Sequence, residues 1–349
     1  MIEWVGGNLL DAKVEALVNT VNTVGVMGKG IALQFKKAFP ENDAAYRRAC
    51  QLGKLMPGDV FVHQAGGIVL PRYILNVATK EHWRGRSRME WIDKGLTRLV
   101  DEVKALKIKS IAVPPLGCGN GGLAWNDVKP RIERAFRTLP DVRVLAYEPN
   151  GAPAPERMPD RTKKPEMTAS RAALLALMRR YLVPGYDYLL SNLEVQKLSY
   201  FLQEAGQPLR LQYSRSHYGP YADNLRHALS HMESHYISGY GDGANKPDTP
   251  IEILPGAAEE ANRFLAEDQT VHERFDRVSQ LIEGFETPLG MELLATVHWL
   301  ATHEAEFGAA CDTEAAVRGV QSWSPRKAKL MKPAQIRAAW ERLHEQKWI

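Results

Sequence analysis

The stretch Asn19–Gly30 places three glycines between a strand pattern and a helix pattern. An apolar run typical of a buried strand precedes it at 14–18, and apolar residues at helical spacing follow it at 31–38. Glycines in such a turn let the backbone approach a ligand closely, and the first amides of the helix suit an anion. Asn19 and Asn22 can add hydrogen-bond donors and acceptors. The stretch therefore predicts a binding site for a ligand that carries phosphate and ribose groups.

Two familiar nucleotide motifs do not fit this stretch. Its glycines (Gly25, Gly28 and Gly30) follow the order G-x-x-G-x-G, whereas the dinucleotide fingerprint is G-x-G-x-x-G, and no Ser or Thr follows Lys29 as in a P-loop. A glycine-rich turn that binds nothing remains the alternative at this point.

The composition indicates a globular protein of two domains. The chain has 349 residues, of which 44% are hydrophobic and 25% charged, and it contains no apolar run long enough to span a membrane. It begins without the pattern of a signal peptide. Cys50, Cys118 and Cys311 are odd in number and far apart, which favours free thiols. We therefore expect a cytoplasmic protein with no membrane partner.

The charge is unevenly distributed along the chain. Residues 1–150 carry a net charge of +7, residues 171–323 carry −9, and the last 26 residues carry +5. A basic first domain suits a nucleic-acid or phosphate partner, and an acidic second domain suits a basic protein partner. Ordinary variation among solvated faces would also account for this pattern.

The first 150 residues alternate between strand and helix patterns, which predicts an α/β/α sandwich around a mixed, mainly parallel sheet. Ligands of such folds bind beyond the carboxyl ends of the strands. The strands are predicted at Ile2–Val5, Ala16–Val18, Val60–Gln64, Tyr73–Val77, Ser110–Pro114 and Arg143–Ala146. The helices are predicted at 30–38, 41–52, 90–106 and 126–137.

A proline-rich segment at 151–168 predicts a semi-extended linker between the domain 1–150 and a second, mostly helical domain at 169–349. Ser170 is a candidate cap for the first helix of this domain. Its helices are predicted at 170–180, 193–205, 222–236, 257–267, 270–283, 288–303 and 333–347.

A second glycine-rich loop follows the strand at 110–114 and reads Pro-Pro-Leu-Gly-Cys-Gly-Asn-Gly-Gly over 114–122. Because it also lies between a strand and a helix, its amides can bind a diphosphate. A Gly7-Asn8 pair ends the first strand, where the Asn8 amide could contact a nucleobase edge. Two such loops in one domain indicate a diphosphate ligand more specifically than either loop alone.

These motifs, together with Ala16–Asn22 and Gly25–Ala32, resemble a macrodomain over about residues 1–150. Macrodomains bind ADP-ribose on an α/β/α sandwich. The chain is most similar to DarG-type antitoxins, whose partner toxin DarT attaches ADP-ribose to DNA bases. The resemblance implies an ADP-ribosyl glycohydrolase that removes ADP-ribose from bases of single-stranded DNA. It implies no cofactor.

The resemblance implies roles for individual residues. The catalytic residue would be Lys80, which follows the strand at 73–77, and an isolated lysine of this kind is otherwise a solvated surface residue. Asn8 and Leu9 would contact adenine, Asn22 the distal ribose, and Thr23 would be a secondary contact. Two loops would enclose the ribose and phosphates: Gly25, Val26, Met27, Gly28, Lys29, Gly30 and Ile31 in the first, and Gly117, Cys118, Gly119, Asn120 and Gly121 in the second.

One position departs from the lysine-using relatives, which place an acidic residue where Gly121 stands. Without that carboxylate, two routes remain open for Lys80: nucleophilic attack on the anomeric carbon, or electrostatic polarisation of the ribose or base. A reader that binds ADP-ribose without cleaving it and an enzyme that acts on modified proteins are the alternative functions.

A basic and aromatic cluster follows Lys80. Trp83, Arg84, Arg86 and Arg88 suit base stacking and phosphate contacts with single-stranded DNA, and a solvated basic loop is the alternative.

In the second domain, His227, His231 and His235 recur every fourth residue, which predicts one helical face but no metal site. The tyrosines around Gly219-Pro220 favour core and turn roles, with a partner-binding surface as the alternative. The segments Gln196–Phe201 and Tyr218–Pro220 loosely resemble Panacea antitoxin domains. The resemblance to DarG implies that this domain sequesters a DarT-like toxin, and its acidity would suit mimicry of DNA.

Overall fold

The computed structural model describes residues 1–66, 69–182, 189–243, 246–304 and 312–349. The chain divides into two compact units. The first comprises Met1–Lys163 with the segment Gly241–Ala244, and the second comprises Lys164–Tyr240 with Asn245–Ile349. No helix in these described ranges is both long and apolar enough to cross a membrane. Cys50 and Cys118 are free thiols, and the prediction for Cys311 lies outside the described residues.

The first unit is built on a mixed sheet with strand order β1-β6-β5-β2-β4-β3. The strands are β1 (Ile2–Val5), β2 (Ala16–Val21), β3 (Val60–Gln64), β4 (Tyr73–Ala78), β5 (Ser110–Val113) and β6 (Arg143–Tyr147). Neighbouring strands are parallel except for β3, which pairs antiparallel with β4 at one edge. The helices are α1 (Gly30–Ala38), α2 (Pro40–Gln51), α3 (Met89–Ala105) and α4 (Trp125–Phe136).

Both faces of this sheet are buried, as expected for parallel strands covered by helices. On β2, Ala16 and Val18 point into a core formed with α3 and α4, whereas Leu17 points into a core formed with α1. This alternation follows from the two-residue period of a strand. In α3, buried residues recur every three or four positions, for example Ile92, Leu96 and Leu99. The predicted α/β/α sandwich is confirmed.

Part of the predicted linker packs onto the first unit. Asp160 forms a buried ion pair with Lys37 of α1 at 3.3 Å, and the Arg161 amide donates to the Lys37 carbonyl oxygen. A 3-10 turn covers Pro155–Arg157. The prolines therefore accompany a packed connection in this stretch rather than an open one.

The second unit is mostly helical, as predicted. Its helices are α5 (Ala169–Tyr181), α6 (Asn192–Glu204), α7 (Leu225–Met232), α8 (Ala257–Phe264), α9 (Gln269–Ile282), α10 (Pro288–His303), α11 (Thr313–Trp323), α12 (Pro325–Leu330) and α13 (Pro333–Glu345). Short strands accompany them: β7 (Leu190–Ser191), β8 (Tyr213–Ser216), β9 (Gly219–Ala222), β10 (Ile237–Ser238) and β11 (Pro250–Ile253).

Two local expectations for this unit were wrong. Thr168, not Ser170, caps α5, because its side chain accepts a hydrogen bond from the Arg171 amide. Helix α7 ends at Met232, so His235 lies beyond it and the three histidines do not share one helical face.

A buried polar network holds the β8–β9 hairpin, α10 and α12 together. The Glu292 carboxylate of α10 accepts from Lys327 Nζ at 2.5 Å and from Arg326 Nη1 at 2.6 Å. Lys197 Nζ of α6 donates to the Pro220 carbonyl oxygen at 2.6 Å. Burial costs such groups their hydration, so each is retained only with close partners.

Candidate active site

Three loops that follow neighbouring parallel strands meet at one edge of the sheet of the first unit. The first glycine loop (residues 22–29) follows β2, the lysine loop (79–88) follows β4, and the second glycine loop (114–124) follows β5. Strand β2 lies between β5 and β4. Because the carboxyl ends of parallel strands share one edge, the loops are brought side by side where ligands of such sheets bind.

Asn22 organises the first glycine loop. Its Oδ1 accepts from the amides of Val24 at 3.0 Å and Val26 at 3.3 Å, and its Nδ2 donates to the Val26 carbonyl oxygen at 2.6 Å. The Tyr46 hydroxyl of α2 donates to the Asn22 carbonyl oxygen at 2.7 Å. These bonds fix the loop before any ligand binds, which lowers the entropic cost of binding. The predicted ribose contact of Asn22 stays a prediction.

The end of the first glycine loop leads directly into α1. Gly28 and Lys29 are exposed, Val26 is 40% exposed, and Met27 is buried. Lys29 is the N-cap residue of α1, and its side chain makes no capping hydrogen bond. The backbone amides of the first turn are therefore not capped by Lys29. The Gly30 amide donates to the Asp242 carbonyl oxygen of the same unit at 2.9 Å. The half-buried Ile31 follows in the first turn.

The second glycine loop is folded by its own backbone. The Leu123 amide donates to the Gly117 carbonyl oxygen at 3.1 Å, and the Gly122 amide donates to that of Gly119 at 3.0 Å. Gly119 and Asn120 are exposed and Cys118 is half-buried, with burial raising the pKa of its thiol to about 11. The exposed part of the loop is therefore its tip.

Gly121 has no room for a side chain. A Cβ atom there would lie 2.3 Å from the Gly117 carbonyl oxygen and 2.3 Å from the Ser87 Oγ atom. The Ser87 amide donates to the Gly121 carbonyl oxygen at 3.0 Å, so the two residues are held together. An acidic residue therefore cannot replace Gly121 in this arrangement. The departure noted in the sequence has a steric cause.

The two glycine loops touch at Gly30 and Asn120. A Cβ atom on Gly30 would lie 2.9 Å from the Asn120 Nδ2 atom, and Gly30 has a φ of +61°. Glycine at this position allows both the backbone conformation and the close approach. The loops predicted to enclose ribose and diphosphate are thus brought together.

Lys80 lies at this junction. Its Nζ donates to the carbonyl oxygen of Asn120 in the second glycine loop. Its side chain is half-buried, and burial lowers the pKa of its amine. A lysine amine held against the loops of a binding site can act as an acid, a base or a nucleophile.

Residues 81–86 of the lysine loop are exposed. The Arg84 guanidinium lies 4.5 Å from the centre of the Trp83 ring, and the His82 and Trp83 ring centres are 5.2 Å apart. Trp83 is 38% exposed, and Arg86 is exposed as well. The loop therefore presents an aromatic surface surrounded by positive charge.

The residues expected near adenine lie after β1. Asn8 caps the 3-10 turn Leu9–Asp11, with its Oδ1 accepting from the Leu10 amide and its Nδ2 donating to the Arg157 carbonyl oxygen, both at 3.1 Å. The Leu9 side chain is buried in the core on the α1 side of the sheet, so only its backbone is suited to a ligand contact.

Asn19 does not face the site, contrary to expectation. It is fully buried in β2, and its Nδ2 donates to the Asn76 Oδ1 of β4 at 2.9 Å. Two residues of the site escaped the sequence analysis, Tyr46 and Ser87. Tyr46 lies in a helix without a motif, and Ser87 lies between the arginines of the basic cluster, where no pattern marks a serine as a site residue.

Comparison with known proteins identifies the class of the first unit. A family model described as "Macro domain" matches residues 18–132, and the first unit is a macrodomain.

The similarity extends beyond the macrodomain. The DNA ADP-ribosyl glycohydrolase of Thermus aquaticus is 48% identical over 332 residues, which are 95% of this chain and 90% of that protein. The chain therefore belongs to the DNA ADP-ribosyl glycohydrolase (DarG) family, as the sequence motifs predicted.

Two further relatives match part of the chain. The solved macrodomain of Thermus aquaticus DarG is 57% identical, covers 43% of this chain and 99% of that one, and has a TM-score of 0.42. A DNA ADP-ribosyl transferase-DNA ADP-ribosyl glycohydrolase fusion protein of Thermosipho africanus is 34% identical over 174 residues, 46% of this chain and 44% of that protein.

Proposed function

We propose that this protein is the antitoxin of a toxin–antitoxin pair, and that its macrodomain removes ADP-ribose from bases of single-stranded DNA. The observation that carries the proposal is the position of Lys80, which is held where two pre-formed glycine loops meet. The loops bind the diphosphate through backbone amides. Lys80 then acts on the bond between the ribose and the base.

The reaction is hydrolysis of an N-glycosidic bond. The bond between the anomeric carbon and the base breaks, a water oxygen ends on that carbon, and a proton ends on the base. Lys80 contributes in one of two ways: its ammonium gives the leaving base a proton, or its neutral amine attacks the anomeric carbon and water later releases the sugar. Burial lowers the pKa of Lys80, which makes its ammonium a stronger acid and its neutral amine more accessible, and so assists both routes.

The packing at Gly121 bears on the choice between these routes. No carboxylate fits at this position beside the Gly117 carbonyl oxygen and Ser87 Oγ. A covalent intermediate would therefore have to be resolved without an acidic residue at position 121. This favours the route in which the Lys80 ammonium gives its proton to the leaving base.

Two measurements test these routes. Lys80→Arg keeps the positive charge but can neither give up a proton nor attack as a neutral amine at neutral pH, so it should lose turnover by both routes and retain it only if the charge alone suffices. Treatment of a turning-over reaction with borohydride should give a protein of increased mass only if a reducible lysine adduct forms. We expect no increase in mass.

The activity itself is tested with an oligonucleotide that carries ADP-ribose on a base. The full chain should release free ADP-ribose and restore the unmodified oligonucleotide. An unchanged substrate at saturating protein would leave only an ADP-ribose reader. A protein modified with ADP-ribose, assayed in parallel, separates a DNA hydrolase from a hydrolase of modified proteins.

The second unit is proposed to sequester a DarT-like toxin. The acidic balance of residues 171–323 suits a partner that binds DNA, and the Thermosipho africanus fusion protein joins a transferase to a glycohydrolase in one chain. Full-length Lys80→Ala protein should still block the toxin when mixed in equal amounts before DNA is added. Loss of this protection would mean that hydrolysis alone neutralises the toxin.

A further inference from the structure

The Glu81 carbonyl oxygen, next to Lys80 in the chain, is bound twice by one residue. The Thr23 hydroxyl donates to it at 2.7 Å, and the Thr23 amide donates to it at 3.2 Å. Thr23 belongs to the first glycine loop and Glu81 to the lysine loop. The two loops are therefore joined directly beside Lys80.

The other neighbour of Lys80 is also held. The amide of the buried Thr79 donates to the Val21 carbonyl oxygen of β2 at 2.9 Å. Lys80 is thus the one residue between two attachments to the same segment, the end of β2 and the start of the first glycine loop. Its backbone position depends on both.

The hydroxyl of Thr23 is the part of this attachment that a substitution can remove. A hydroxyl has one proton, and here that proton is given to Glu81 across the shorter of the two bonds. Thr23 is also the residue after Asn22, whose side chain sets the conformation of the first glycine loop. The same segment therefore fixes the phosphate loop on one side and the lysine loop on the other.

We infer that Thr23 is a positioning residue for Lys80: its hydroxyl, by binding the Glu81 carbonyl oxygen, sets the Lys80 amine relative to the ligand that the glycine loops hold. This inference rests on the proposed hydrolase function of Lys80. The inference goes beyond that function, because it assigns to Thr23 a role in the rate of reaction rather than a contact with the ligand. Small displacements of a reacting group lower rates steeply.

The test compares two substitutions that differ in the hydroxyl. Thr23→Val keeps the shape and the backbone bond but removes the hydroxyl, and Thr23→Ser keeps the hydroxyl. We expect Thr23→Val to lower kcat roughly five- to thirtyfold. Thr23→Ser should retain at least about half of the wild-type kcat. The Kd of both variants for free ADP-ribose should stay within about twofold of wild type, because the loop amides remain.

Thr138→Val is the matched control. The Thr138 hydroxyl also donates to a backbone carbonyl oxygen, that of Ala135, at 2.7 Å. Thr138 precedes β6, so it lies at the amino ends of the strands, opposite the candidate site. This variant should keep the wild-type kcat and should change the melting temperature as much as Thr23→Val does.

Three results would overturn the inference. One is an equal loss of kcat in Thr23→Val and Thr23→Ser, and another is an unchanged kcat in both. The third is an ADP-ribose Kd that rises as far as kcat falls, which would make Thr23 a ligand contact. Failure of the proposed function looks different, because wild-type protein would then release no ADP-ribose from the modified oligonucleotide.

Discussion

Burial lowers the pKa of both Lys80 and Lys197, but these two lysines occupy very different surroundings. Lys80 is half-buried, follows a strand of the macrodomain and donates to a carbonyl oxygen of the second glycine loop. Lys197 is 1% exposed in the second unit, where burial and then the neighbouring charge of Lys327 lower its pKa to about 7. A lowered pKa therefore identifies a buried amine, and access to a ligand decides whether it can do chemistry.

The neighbours of the two lysines differ in the same way. Lys80 lies among backbone loops suited to a ligand that is itself charged. Lys197 lies close to a network in which Glu292 balances Lys327 and Arg326, and its amine is used to hold the β8–β9 hairpin through Pro220. The surroundings of Lys80 are suited to a ligand, whereas Lys197 serves to hold protein segments together.

Removal of the Lys80 amine should have the largest effect on function. Lys80→Ala should lower turnover of the modified oligonucleotide at least about 100-fold, because the proton donor or nucleophile is lost. Its Kd for ADP-ribose, measured by calorimetry, should stay within about threefold of wild type, because loop amides bind the phosphates. Lys197→Met is the matched control and should keep turnover. Near-normal turnover by Lys80→Ala would remove Lys80 from the mechanism.

Removal of the Glu292 charge should have the largest effect on stability. Burial opposes ionisation of Glu292, yet hydrogen bonds from Arg326 and Lys327 hold the pKa of its carboxyl below the usual value. Glu292→Gln leaves both cations without a counter-charge and should lower the free energy of unfolding by about 3 kcal/mol in urea titrations.

Glu314→Gln is the control for this prediction, because Glu314 pairs with Arg337 at 2.8 Å on the surface. It should change stability little. An equal loss of unfolding free energy in both variants would show that the buried charge of Glu292 stabilises the protein no more than a surface charge does.

Removal of the Trp83 ring tests whether the lysine loop contacts DNA. Trp83→Ala should raise KM for the modified oligonucleotide about tenfold, which corresponds to the loss of one stacked base. The Kd for free ADP-ribose should not change, since this ligand has no flanking bases. Equal effects on both ligands would place Trp83 in the ADP-ribose pocket instead.

The last prediction concerns the dependence of stability on pH. The folded-state pKa of Lys197 is about 7, below its usual value of 10.5, so between these pH values the unfolded chain binds a proton that the folded protein does not. Stability should therefore rise with pH in this window, by up to about 1.4 kcal/mol per pH unit from this group. Lys197→Met should flatten the rise in urea titrations at pH 7 and pH 9. An identical slope in both proteins would assign it to other groups.

The macrodomain was predictable because the inner strands of its sheet are buried on both faces. Continuous apolar runs such as the one in β2 identify the strands, and the glycine loops after them identify the site edge. The sequence could not show that Asn19 bonds to the neighbouring strand β4 while Asn22 bonds to the loop. The difference depends on where β2 ends. The contacts around Lys80 were hidden for a similar reason, since Asn120 contacts Lys80, and Thr23 contacts the neighbouring Glu81, from other loops.

In the second unit seven helices were predicted, whereas α11, α12 and the short strands were not. The β8–β9 hairpin has exposed and half-buried polar residues in one strand and a Gly-Pro pair in the other, so no alternating pattern appears. Its position is set by contacts from distant segments, including Lys197 and Trp323 Nε1, which donates to the Ser216 carbonyl oxygen at 2.9 Å. Helix α7 is shorter than predicted because the chain turns at Glu233 into a bridge with Ile237.

The close contact of Gly121 with Gly117 and Ser87 has an evolutionary consequence. A lineage with this packing cannot acquire an acidic residue at position 121 in a single step, because any side chain there displaces the second glycine loop before the carboxylate can help. Loss of the Ser87 side chain and a shift of the Gly117 peptide would have to come first. The effect of an acidic residue at position 121 therefore depends on earlier changes elsewhere, which is an epistatic barrier.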